Sequence, residues 1–108
     1  METLIRLIRP ENFEQEVVTE KKPVPLLCMP RDEEFPNQLK VIENIARKYS
    51  EELKVGLLQE EFIEAFKKNY EILGTPTFLI LVEGKERRRW LGLANHRMLT
   101  TLISQSYR

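Results

Sequence analysis

The chain has 108 residues, 42% hydrophobic and 31% charged, with 17 acidic side chains against 17 basic ones. These proportions exclude a disordered chain, and the balanced charge removes the general field that draws in nucleic acid or anionic lipid. No apolar stretch approaches the roughly 18 residues of a membrane span, so one domain over residues 1–108 is expected, with neither a nucleic-acid nor a membrane partner.

The opening "METLIRLIRPENF" carries Arg6 and Arg9 where a signal peptide would have its apolar core. Cys28 has no second cysteine to pair with, which fits a reducing compartment, and a cytoplasmic location is expected. "TLIRLI" alternates and is rich in aliphatic residues, so Thr3–Ile8 reads as a first strand. Pro10 suits a first helical turn, and "PENFEQEVVTE" sets Phe13, Val17 and Val18 at helical spacing. "VPLLCM" is a continuous apolar run, the pattern of a strand buried on both faces, with Pro23 and Pro25 at its start.

Beyond the turn "PRDEEFP", Leu39, Ile42, Ile45, Ala46 and Tyr49 recur at three and four and predict an amphipathic helix. Leu53–Leu58 reads as a strand, "EEFIEAFKKNY" as a helix with Phe62, Ile63 and Phe66 inward, and Thr77–Val82 as a buried strand. Glu83–Gly84 is a hairpin turn into "KERRRWL", and Asn95 is an N-cap for a last helix, "HRMLTTLISQS". The expected order is β-α-β-α-β-α-β-β-α: about five strands and four helices in an α/β sandwich. Helix-joined strands would run parallel and the final hairpin would supply an antiparallel edge.

With "LGTPTFLIL" in place, the chain resembles the thioredoxin family, from about Phe13 to Ile103. Gly74-Thr75-Pro76-Thr77 is similar to that family's cis-proline turn and the strand after it. Gly84 falls at its hairpin turn, Gly92 at the loop glycine before its last helix, and "IARKY" (Ile45–Tyr49) at the end of its long second helix. The resemblance implies a three-layer α/β/α thioredoxin-like fold and a cis bond before Pro76. It also implies a shallow groove where the main chain of Thr75 pairs with an extended peptide.

The family's Cys-x-x-Cys falls on Asp32-Glu33-Glu34-Phe35, and its flanking tryptophan on Arg31. Disulfide exchange needs one thiolate to attack and a second to resolve the mixed disulfide, and a carboxylate does neither. The family's buried aspartate falls on Leu26 and a nearby lysine on Leu57. An isolated buried charge costs several kcal/mol, so leucine is the better core residue once no chemistry needs the charge.

The expectation is therefore a redox-inactive binding module with no catalytic residue, no cofactor and no metal, docking a protein or peptide partner in the manner of an assembly chaperone. Its groove would be lined by Arg31, Phe35, Thr75, Pro76, Gly92, Leu93 and Ala94. Asp32, Glu33 and Glu34 read as N-cap and first-turn carboxylates; a metal, acid–base or acidic recognition role is the alternative. Cys28 reads as a small buried hydrophobe, against a single reactive thiol activated by Arg31. His96 is expected at the surface, without a second ligand for zinc. "ERRRW" is an edge strand protected by its charges rather than a nucleic-acid patch, with Trp90 partly under the arginines. The alternative functions are a redox enzyme using Cys28, and a subunit that self-associates through the sheet edge or Trp90; the oligomeric state is open.

Overall fold

Four short aliphatic-rich runs and the charged run KERRRWL pair into a single mixed sheet in the order β1-β3-β2-β4-β5. The strands are β1 (Ile5–Ile8), β2 (Val24–Cys28), β3 (Val55–Leu58), β4 (Thr77–Val82) and β5 (Lys85–Leu91). Three α-helices cross between them: α1 (Phe35–Lys48), α2 (Ile63–Tyr70) and α3 (His96–Gln105). The computed structural model describes residues 4–106; Thr3, the expected start of the first strand, lies outside them.

Side chains alternate across the sheet and build two cores. On one face Leu27, Val55, Phe78 and Ile80 pack against Ile42, Ile45 and Ala46 of α1 and Leu99, Leu102 and Ile103 of α3. On the other, Leu26, Cys28, Leu58, Leu79 and Leu81 meet Val17, Ile63 and Phe66. Phe66 stacks on Tyr70 at 4.6 Å between ring centroids and meets the edge of Phe13 at 6.0 Å. Both faces of the central strands are thus covered, which is why β2 and β4 read as unbroken apolar runs. Pro25 is tolerated in β2 because the ladder to β3 engages Leu26 and Leu27 only.

Four local expectations change. The segment after Pro10 is a single π-helical turn, Glu14–Val18, entered through Phe13. The Thr19 hydroxyl donates to the carbonyls of Glu14 and Gln15, and the β-branched run Val17-Val18-Thr19 disfavours further helix. The turn is fastened from outside by Lys54, which ion-pairs with Glu16 and, at 3.0 Å, with Glu20. The strand expected from Leu53 begins at Val55, after the Lys54 N–H has closed on the Pro23 carbonyl at 3.1 Å. The helix expected from Glu60 starts as a 3₁₀ turn, Glu60–Phe62, before α2.

The fourth change concerns topology. β1 and β2 both run parallel to β3, but β4 runs antiparallel to β2 as well as to β5. Eight residues of α2 rise only about 12 Å, and Glu71, at φ 53°, turns the chain back. β4 therefore starts beside the end of β2, with Thr77 opposite Cys28. Glu83 (φ 52°) and Gly84 (φ 81°) form the two-residue turn of the β4–β5 hairpin.

Candidate functional site

The register Cys28↔Thr77 puts the turn after β2 next to the loop before β4. The Gly92 N–H donates to the Pro76 carbonyl at 2.8 Å and carries the loop after β5 to the same end of the sheet. Gly92 sits at φ 118°, a conformation glycine alone adopts without strain. Gln38, 5% exposed in the first turns of α1, completes the assembly. Its side chain donates to the Ala94 carbonyl (3.1 Å) and accepts from the Ala94 N–H (3.0 Å). Three segments far apart in sequence, 31–38, 74–77 and 92–94, thus meet at one end of the sheet.

The turn after β2 is closed on itself. The Arg31 guanidinium donates to the carbonyls of Met29 (3.0 Å) and Leu58 (3.2 Å), where β2 and β3 end, and lies 4.6 Å from the Phe35 ring centroid. The Arg31 N–H donates to Glu60 at 2.9 Å. Arg31 is therefore a plug and not a free groove residue, and it does not activate Cys28. Asp32, Glu33 and Glu34 are exposed, but they precede α1 rather than fill its first turn. The helix starts at Phe35 with Glu34 at the cap position, and Asp32 accepts from the Glu34 N–H at 3.0 Å. Pro36 sets this start, since it fits the first helical turn and displaces the residues before it from helical geometry.

Cys28 is fully buried, and that burial pushes its thiol up to about 11. At neutral pH it has almost no thiolate and no path to a substrate. Ala94 is 6% exposed with both backbone groups taken by Gln38, so it offers no free group at this end of the sheet. His96 is half-buried rather than at the surface, 3.5 Å from the Thr100 hydroxyl. Trp90 is 38% exposed, and its indole N–H donates to the Leu93 carbonyl at 3.0 Å.

The loop before β4 is the open part. The Thr77 hydroxyl donates to the Gly74 carbonyl (2.6 Å), and the Thr75–Pro76 peptide is cis. Thr75 is exposed, and among the described residues nothing pairs with its N–H or C=O. Around it stand Leu73, 87% exposed, Leu91 at 55% and Leu93 at 47%. Leu91 reaches the space beside Gly74. No family model matches the chain, and no curated protein matches it.

Sequence reasoning missed four participants. Arg89 donates to the carbonyls of Tyr70 (2.7 Å) and Glu71 (3.0 Å) while paired with Glu86 at 2.6 Å, and so anchors the base of the loop that carries Thr75. Gln38 looks like an ordinary polar residue of a helical turn. Leu73 and Leu91 belong to segments whose burial cannot be read from periodicity. Only the isolated leucine of "EILGTP", outside any periodic run, hinted at an exposed apolar side chain.

Proposed function

We propose that the chain is a redox-inactive, thioredoxin-like binding module of the cytoplasm that holds an extended stretch of another protein, as a chaperone or assembly factor does. The reading rests on the Thr75 backbone, whose donor and acceptor are both free and flanked by Leu73, Leu91 and Leu93. A free main-chain pair between apolar side chains is what strand addition uses: backbone bonds for affinity, side-chain contacts for choice. The missing dithiol, the plugged turn and the buried Cys28 all argue for binding without chemistry. No observation favours Cys28 as a nucleophile.

The test is capture of partners on the immobilised protein, beside a Leu73→Glu/Leu93→Glu variant. The bound segment of a captured partner is then titrated into isotope-labelled protein. The Thr75 and Leu93 amides are expected to shift, with binding lost in the variant. Shifts confined to other surfaces, or equal capture by the variant, sink the reading. Insulin reduction by dithiothreitol should run at the uncatalysed rate.

A further inference from the structure

β5 ends the sheet, so one of its backbone edges faces no strand among the described residues. The direction of the free groups follows from the ladder. The Gly92 N–H bonds to the Pro76 carbonyl, so Pro76/Gly92 is a hydrogen-bonded pair, and two-residue steps make Phe78/Trp90 and Ile80/Arg88 hydrogen-bonded pairs too. The N–H and C=O groups of Arg89 and Leu91 therefore point away from β4, to the open side.

Beside this edge, on the face shared by Arg88 and Trp90, lies a groove of about 340 Å³ between β5 and α3. Trp90, Met98 and Leu102 supply its apolar lining and Arg97 stands at its rim. The helix His96–Gln105 contains no aspartate or glutamate. Among the described residues, Arg88 and Arg97 form no ion pair, whereas Arg89, on the opposite face, is paired with Glu86. A free edge, an aromatic-lined groove and two unmatched guanidinium groups thus coincide.

We propose that this edge and groove bind an acidic, extended peptide segment of another protein, at a surface that borders the Thr75 loop at Leu91 but runs along β5 and α3. The segment adds as a strand to β5, bonding to the free groups of Arg89 and Leu91. Its alternate side chains face the groove, an apolar one over Trp90 and Met98 and a carboxylate at Arg88 and Arg97. A second copy is the wrong occupant, because it would lay two KERRRWL strands side by side, each with four basic residues against one acidic. A nucleic acid could meet the arginines but has no use for the backbone edge.

The probe is a capped peptide alternating glutamate with leucine or valine, titrated into the isotope-labelled full chain. Expected are a Trp90 fluorescence change and slower exchange of the Arg89 and Leu91 amides. An Arg88→Glu/Arg97→Glu variant should lose about tenfold or more in affinity. A Lys40→Glu variant, on the exposed side of α1, should bind as the wild type does. So should Leu73→Glu, which distinguishes this surface from the loop. Equal binding of the peptide with lysine in place of glutamate overturns the proposal, as does absence of binding at millimolar peptide. Binding that leaves Arg89 and Leu91 exchange unchanged, or that a short DNA duplex matches, overturns it as well, since a general attraction for polyanions would explain it.

Discussion

The turn that follows β2 and the loop that precedes β4 stand side by side, yet they handle their polar groups in opposite ways. In the turn, the Arg31 side chain closes the carbonyl ends of two strands, its N–H is taken by Glu60, and Asp32 holds the Glu34 N–H. In the loop, the Thr75 backbone has no partner among the described residues and leucines stand in solvent. A stability-driven chain fills such a turn with internal bonds and covers such leucines. That only one of the neighbours is treated this way leaves an open loop beside a closed turn.

Placing a carboxylate in the core behind the turn tests the contrast most severely. Leu26→Asp puts an unpaired acid at a fully buried position and should cost about 3–5 kcal/mol in urea unfolding. A cost below about 1 kcal/mol would mean that this face still accommodates a buried acid. Next in size is the thiol. With its pKa pushed up to about 11, Cys28 should hold roughly a hundredfold less thiolate near pH 8 than an ordinary cysteine and resist iodoacetamide until the chain unfolds. Because the folded state keeps that proton longer, Cys28 contributes stability that is full below the unfolded pKa and fades as pH rises toward 11. Equilibrium unfolding across alkaline pH reads the slope.

Arg31→Ala should cost about 2 kcal/mol, since it leaves the Met29 and Leu58 carbonyls unpaired and uncovers Phe35. Thermal denaturation of this variant shows whether the turn is closed for stability. The smallest effect belongs to the loop. Leu73→Ser, at a position 87% exposed, should stay within about 0.5 kcal/mol of the wild type. A larger loss there would show that the loop is packed in solution and erase the difference between the two regions.

The parts legible in advance are those where one force dominates. "TFLILV" reads as a strand because both of its faces are covered, and α1 reads as a helix because Ile42, Ile45 and Ala46 repeat at helical spacing. The parts that escaped depend on partners distant in sequence. Gln38 meets Ala94 across 56 residues and Arg31 meets Leu58 across 27, and polar side chains at such positions look solvated in a linear reading. The direction of β4 escaped because it depends on where α2 stops. The acidic turn was read as a cap from residue type alone, and Pro36 moved the helix start past it.

Lys54 has a consequence for behaviour in acid. Burial works against its ammonium, but hydrogen bonds to Glu16 and Glu20 outweigh that and raise its pKa. The Glu20 carboxyl is held below its ordinary value by the Lys22 N–H and then by Lys54. The stability Glu20 contributes is present above the unfolded glutamate value, about 4.3, and drains away as pH falls through its lower folded value. Hydrocarbon, which protons do not touch, seals the sheet and holds the π-helical turn from inside through Val17, while the turn's outer fastening is the Lys54 ammonium with Glu16 and Glu20. Acidification should therefore unfasten that turn first, leaving the hairpin and both long helices in place.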